Sequence, residues 1–142
     1  MAITFEKVLI LKNVPIFANV SEQALADLIV GSEEKSYKAG ETILDTDTDT
    51  DALYVILSGL VRCGDTDKVV RELGPRQFFG ETTVFNKTSF PYPIIAHDKT
   101  TILKISNKTL YHMMALYPSL AFGFIGYLSR QVHQELKGYP PL

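Results

Sequence analysis

The middle of this chain is cut into short runs of strand-forming residues by closely spaced turns, and this pattern constrains the fold most. The runs are rich in Val, Ile, Tyr and Thr, which favour strands. Turns such as Ser58-Gly59 and Gly74-Pro75 separate them. The predicted strands are residues 35–38, 42–44, 53–57, 60–63, 69–73, 78–79, 93–97 and 101–105. Many short strands with close turns predict a barrel or a jelly roll, since these architectures leave few exposed sheet edges.

Both ends of the chain carry the signals of helices instead. Thr4 and Ser21 are placed to cap two helices near the N-terminus, and Gly31 is placed to end the second. Ser106 is placed to cap a third helix, and Pro118 fits the first turn of a fourth. The predicted inward stripe of this last helix is Ala121, Phe124, Ile125, Leu128 and Val132. The sequence thus predicts one mainly β domain over residues 1–142, with N-terminal helices in 1–33, strands in 34–105 and C-terminal helices in 106–137.

Composition excludes several classes of protein. The chain has 142 residues, enough for one domain with its own core, and a formal net charge of −2. Without a basic excess, nucleic acid is not an expected partner. No apolar run approaches the roughly 18 residues of a membrane span, and the first residues lack the pattern of a secretory signal. Cys63 is the one cysteine, so no internal disulfide can form, and a cytoplasmic location is expected.

Motifs for metal binding or catalysis are missing from the sequence. The alternating Asp and Thr residues at 45–51 fit a calcium loop in neither register, because Gly and Glu are absent from the required positions. This run is predicted to be a solvated loop between strands. His97, His112 and His133 are far apart, so no metal site is predicted. With no nucleophile elbow either, no catalytic residue is assigned and an enzyme is not expected.

Three stretches, taken in order, resemble the cyclic-nucleotide-binding domain family, the catabolite-activator-like regulatory domains. They are YKAGETI at 37–43, DALYVILSGLV at 51–61 and LGPRQFFGE at 73–81. The helical flanks agree as well, so the resemblance covers nearly the whole chain. It implies a β jelly roll (a double-stranded β-helix) of about eight strands, with N-terminal helices and two C-terminal helices. It also implies a phosphate-binding cassette that takes cAMP or cGMP in ordinary members of the family.

The resemblance assigns a set of ligand-binding residues. In the family, the cassette runs from a Gly-Glu pair through a short turn to an Arg, then a small pair and a strand. Backbone N–H groups of the turn and the Arg hold the cyclic phosphate, and the Glu accepts a hydrogen bond from the ribose. The corresponding residues of this sequence are Phe79, Gly80, Glu81, Thr82, Thr83, Phe90, Pro91 and Tyr92.

The second half of this cassette departs from the family pattern. An ungapped count places Phe90 at the Arg position, followed by Pro91 and Tyr92. Pro91 has no N–H to donate, and Tyr92 adds bulk where a ligand would rest. Losing one member of a buried charge pair costs about 2–5 kcal/mol, so tight binding of cAMP or cGMP is not expected. Lys87 on the same turn is a candidate replacement charge, although a point charge does not reproduce the fork of an Arg.

Several functions stay open at this level. The aromatic residues Phe90 and Tyr92 either plug the pocket, cover the core, or form a platform for another ligand. The favoured function is a non-catalytic regulatory module with a degenerate cassette, which acts through protein contacts or an altered ligand and carries no cofactor. The alternatives are a working cyclic-nucleotide sensor with an atypical cassette and a cupin-type jelly-roll enzyme, against which the scattered histidines count.

The resemblance also implies partners. In the family, the last helix often forms a dimer contact or a mobile lid, which implies a homodimer or a protein-binding surface there. The equal alternative is that this helix only packs against the barrel. Five residues follow Lys137, which is too few for a helix-turn-helix, so direct DNA binding is not expected. The output is therefore expected to lie in a separate partner or in a larger parent chain.

Overall fold

The strands of this protein form two facing antiparallel sheets, described by a computed structural model for residues 4–65 and 67–140. The strands are β1 Glu33–Tyr37, β2 Thr42–Leu44, β3 Asp49–Thr50, β4 Ala52–Ser58, β5 Val61–Asp65, β6 Lys68–Leu73, β7 Phe78–Phe79, β8 Thr88–Ser89, β9 Ile94–Ala96 and β10 Thr100–Ser106. One sheet has the order β1-β10-β4-β7 and the other β2-β9-β5-β6, while β3 pairs with β8. The predicted jelly roll with flanking helices is confirmed.

The eight predicted strands are all present, and the two additional ones are short. Strand β3 lies inside the Asp/Thr run, which is therefore only partly the solvated loop that was predicted. Thr50 in this strand is buried, and its hydroxyl hydrogen bonds to the Tyr54 hydroxyl at 2.9 Å. Strand β3 pairs Asp49 with Ser89 and Thr50 with Thr88. Two residues are too few to show an alternating pattern, so periodicity does not reveal such a strand.

The helices begin at the predicted caps. They are α1 Phe5–Lys12, a 3-10 turn Pro15–Phe17, α2 Glu22–Val30, α3 Asn107–Leu116 and α4 Pro118–Leu136. The hydroxyls of Thr4, Ser21 and Ser106 each accept the backbone N–H three residues further on, at 3.1–3.2 Å. Gly31 caps the end of α2, and Pro118 is the first residue of α4, as predicted. Within the described residues, no helix is both long and apolar enough to cross a membrane.

Strand β4 is buried on both of its faces and joins the two cores of the molecule. Successive side chains of a strand point to opposite faces. One set packs against the helices, namely Leu53, Val55 and Leu57. The other set lines the barrel interior, namely Ala52, Tyr54 and Ile56. The neighbouring strand β7 divides in the same way, with Phe78 on the helical side and Phe79 inside the barrel.

Helix α4 packs with a different face from the one predicted. Leu120 and Phe124 are buried, and the Phe124 ring contacts Phe17 and Phe85 at centroid distances of 6.4 and 5.2 Å. Ile125 and Val132, predicted to face inward, are 61% and 57% exposed, so that part of the prediction is wrong. The reason is a close approach at Gly123, where a Cβ would lie 2.2 Å from the Ile16 carbonyl oxygen. This contact sets the rotation of α4.

Substitution of Gly123 by Ala is expected to destabilise the protein. Ala favours a helix over Gly by about 1 kcal/mol, but here its methyl group would overlap the Ile16 backbone and force α4 outward. Gly126→Ala is the matched control, because the nearest atom to its Cβ is the flexible Arg130 Nη1 at 3.4 Å. We expect Gly126→Ala to be neutral or stabilising in urea denaturation. Equal stabilisation by both substitutions would contradict this packing.

Candidate ligand-binding site

A cavity of about 320 Å³ lies where β5 and β6 meet the segment that follows β7. Of the eight predicted cassette residues, seven line it, namely Phe79, Glu81, Thr82, Thr83, Phe90, Pro91 and Tyr92. Sequence reasoning did not assign the other lining residues, which are Cys63, Arg71, Leu73, Thr88, Ser89 and Ile94. The volume is near the lower end of the range of about 300–1,000 Å³ for small-molecule pockets. The fold therefore collects the predicted residues around one space.

Gly80, the eighth predicted cassette residue, is not part of the cavity lining, but it determines where the next residues go. Its φ is 98°, and a Cβ at this position would lie 2.3 Å from the Ala52 carbonyl oxygen of β4, so only glycine fits. The Gly80 carbonyl accepts hydrogen bonds from the N–H groups of Thr83 and Val84, at 3.1 and 2.9 Å. It also accepts one from the Thr83 hydroxyl at 3.2 Å. The resulting turn presents Glu81 and Thr82 to the cavity.

Glu81 is a half-buried carboxyl group whose ionised form is disfavoured. Burial raises the pKa of Glu81, while the positive charge of Arg71 and the backbone N–H of Glu81 itself act in the opposite direction. The two side chains line the same cavity. They do not form an ion pair within 4.0 Å, unlike Arg62, whose Nε lies 3.3 Å from Glu72. The site thus holds two opposite charges that attract each other but are not in ion-pair contact.

Arg71, an exposed residue of β6, is a positively charged lining residue that sequence reasoning did not assign to the site. In the structure it pairs with Cys63 of β5 in the antiparallel register, and directly opposed residues share a face. It also precedes the buried Leu73 by two residues, which puts both on one face of β6. That spacing is the signal that could have found it. Lys87, the replacement charge considered from the sequence, is exposed and is not part of the cavity lining.

Aromatic side chains form one wall of the cavity. Phe90 is half-buried, with its ring edge-to-face on Phe79 at a centroid distance of 6.3 Å and near-parallel to Tyr92 at 6.5 Å. Phe79 in turn stacks on Tyr54 at 4.7 Å. Pro91, which lies between Phe90 and Tyr92 in the sequence, is exposed. The residue that the ungapped count assigns to the family Arg position thus has a ring that packs on the aromatic core.

The thiol on the cavity lining is that of Cys63. Burial raises the pKa of the Cys63 thiol, so the thiol stays protonated and weakly reactive at neutral pH. In the part of the chain that the structure describes, no three His, Cys, Asp or Glu side chains are grouped to hold a metal ion.

A larger groove of about 550 Å³ between α2 and α3 is a weaker candidate. Its acidic residue, Asp27, already accepts hydrogen bonds from Tyr117 and Gln23. The rest of its lining combines Lys108, Thr109 and His112 with apolar residues. The smaller cavity collects the predicted cassette residues, so we place the candidate site there.

Three similarities to known proteins agree with this fold. The potassium channel KAT4 of Oryza sativa subsp. japonica is 28% identical over 116 residues, which are 78% of this chain and 19% of the channel. The chain therefore spans about a fifth of that relative. The N-terminal domain of a transcriptional regulator from Streptomyces coelicolor A3(2) superimposes with a TM-score of 0.81 at 20% identity, covering 94% of this chain and 96% of that domain.

A second solved structure covers the whole of both chains. The sensor domain of the transcriptional regulator DNR from Pseudomonas aeruginosa has a TM-score of 0.78 at 20% identity and covers 99% of each chain. The profile of the cyclic nucleotide-binding domain family matches residues 34–117, which include all the strands from β2 to β10 and the candidate site. This chain therefore belongs to the cyclic nucleotide-binding domain family.

Proposed function

We propose that this chain is a non-catalytic regulatory module that does not bind cAMP or cGMP tightly, and that it responds to another small molecule or to protein contacts. The observation that carries this proposal is the ring of Phe90. It stands at the family Arg position and packs edge-to-face on Phe79 at the cavity wall. Phe90 and its neighbour Pro91 leave the cassette without the guanidinium and without one N–H that a cyclic phosphate uses.

The charges of the cavity support weak binding of an anion. Arg71 supplies one positive charge, but Glu81 faces the same space and offsets it. A cyclic nucleotide carries a single negative charge on its phosphate, so it would meet little net attraction here. The raised pKa of the Cys63 thiol, which keeps this nucleophile protonated, supports a non-catalytic role.

A working sensor with an atypical cassette is the second candidate, and Arg71 is the observation that favours it. An Arg on β6 offers the same fork of donors as an Arg on the cassette loop. In that case it would approach the cyclic phosphate from the strand side. Titration of the natural chain separates the two functions.

Helix α4 supports self-association or contact with a partner. Its exposed apolar side chains are Phe122, Ile125, Val132 and Leu136. With Ser129 they follow a spacing of three, four, three and four, which places them on one seam opposite the buried Leu120 and Phe124. We propose that this seam forms a homodimer contact, or packs against a parent chain of the kind to which the channel relative belongs.

Calorimetric titration of the natural chain with cAMP and cGMP is expected to give no heat at micromolar ligand. Phe90→Arg restores the guanidinium at the family position and is expected to tighten binding by about tenfold or more. Asn86→Arg is the matched control, because it adds the same charge on an exposed part of the same loop. Clear micromolar binding by the natural chain would overturn the proposal in favour of the atypical sensor.

Glu81→Gln is expected to stabilise the protein at neutral pH. Because the pKa of Glu81 is raised in the folded state, its favourable contribution is complete below the ordinary Glu pKa of about 4.3 and is lost as the pH rises through the folded pKa. The gain from Gln should therefore appear at pH 7 and vanish at acidic pH in urea denaturation. Glu135→Gln, at an exposed position on α4, should show no such pH dependence. A variant less stable than the natural chain at pH 7 would contradict this account.

Val132→Glu is expected to convert a dimer of the natural chain into a monomer, since it places a charge on the apolar seam. Gln131→Glu introduces the same charge at the adjacent exposed position off the seam and should leave the dimer intact. Sedimentation equilibrium over micromolar to millimolar protein measures both. A natural chain that is monomeric throughout this range would rule out the homodimer.

A further inference from the structure

The cavity holds an arginine and a glutamate that are both available to a ligand. Arg71 and Glu81 line the same space, one from β6 and one from the turn after β7. In the described part of the chain, neither side chain forms a hydrogen bond or an ion pair with the side chain of another residue within 4.0 Å. Two opposite charges that share a cavity without ion-pair contact leave room for a molecule between them.

Three aromatic side chains line the same cavity. Phe90 and Tyr92 lie nearly parallel, with an interplanar angle of 27°, and Phe79 closes the inner side. A cation within about 6 Å of an aromatic face is attracted by the ring, most strongly where water is excluded. Glu81 lies on the same lining and adds a negative charge when it is ionised. An ammonium group is therefore matched both by the rings and by the carboxylate.

The balance of charge selects the class of ligand. A simple anion would be attracted by Arg71 and repelled by Glu81, and a simple cation would meet the reverse. A zwitterion satisfies both side chains at once. The planar guanidinium fork suits a carboxylate. Because Arg71 and Glu81 form no ion pair within 4.0 Å, they favour a zwitterion whose two charges are several bonds apart.

We propose that this cavity binds a small zwitterion, with its carboxylate on Arg71 and its ammonium group between Glu81 and the rings of Phe90 and Tyr92. This inference rests on the proposed function, since it names the class of ligand that replaces the cyclic nucleotide. It gives Phe90 a positive role, because the ring that removes the cassette charge becomes part of the cation-binding wall.

The test compares two molecules of the same shape. In 4-(trimethylammonio)butanoate the carboxylate and the quaternary nitrogen are separated by three methylene groups. In 5,5-dimethylhexanoate a carbon replaces that nitrogen, so the second molecule is an anion of equal size. Calorimetric titration of the natural chain is expected to show the zwitterion binding about tenfold more tightly than its carbon isostere.

Three variants assign the two ends of the ligand. Arg71→Gln should weaken both molecules, because both carry the carboxylate. Glu81→Gln should remove the preference for the zwitterion and leave the isostere as tight or tighter. Arg62→Gln is the matched control, since this strand arginine pairs with Glu72 and lies outside the cavity lining.

The outcomes separate this inference from the proposed function. An isostere that binds as tightly as the zwitterion, or a zwitterion that gives no heat at millimolar concentration, would overturn the inference. So would equal losses in Arg71→Gln and Arg62→Gln. If cAMP and cGMP also give no heat, the proposed function stands and only the zwitterion inference is overturned. Micromolar binding of a cyclic nucleotide would instead overturn the proposed function itself.

Discussion

The two-sided burial of β4 is the constraint on which the rest of this structure depends. Its side chains alternate between the helical core, with Leu53 and Val55, and the barrel core, with Tyr54 and Ile56. A strand that is apolar on both faces must be covered on both, so the helices are part of the core and not additions to a finished barrel. Strand β7 pairs with β4 through Tyr54 and Val55, and β7 leads directly into the candidate site. The position of Glu81 therefore follows from the packing of β4.

Local patterns were enough to predict most of the fold. Short β-rich runs, hydroxyl caps and proline at the start of α4 are signals that lie within a few residues of one another, and the structure confirms them. The rotation of α4 was not predictable in this way. That helix has apolar residues on two sides, and the contact that decides between them joins Gly123 to Ile16, more than a hundred residues away. Strands β3 and β8 were not predicted for a different reason, because two residues carry too little pattern.

The candidate site, too, was predictable from the sequence only in part. The resemblance to a family assigned Glu81, Phe90 and Tyr92 to the ligand-binding set. The fold brings these residues to one cavity. Their role in binding stays a prediction. Arg71 was not assigned from the sequence, although its spacing of two from the apolar Leu73 indicates that both face the same side of β6. The register, which pairs Arg71 with the buried Cys63, gives the same direction. The electrostatic character of the cavity therefore combines a cassette carboxylate with a strand arginine.

The two consecutive phenylalanines of β7 tie the cavity to the outside of the molecule. Phe79 forms part of the cavity wall, whereas Phe78 contacts Tyr127 of α4 edge-to-face at 5.1 Å. One peptide unit thus belongs to both environments. If a ligand in the cavity changes the seating of α4, thermodynamic reciprocity requires that a contact that holds α4 changes the affinity of the cavity by the same factor. In the proposed function, the Phe78-Phe79 dipeptide would connect the ligand cavity to α4.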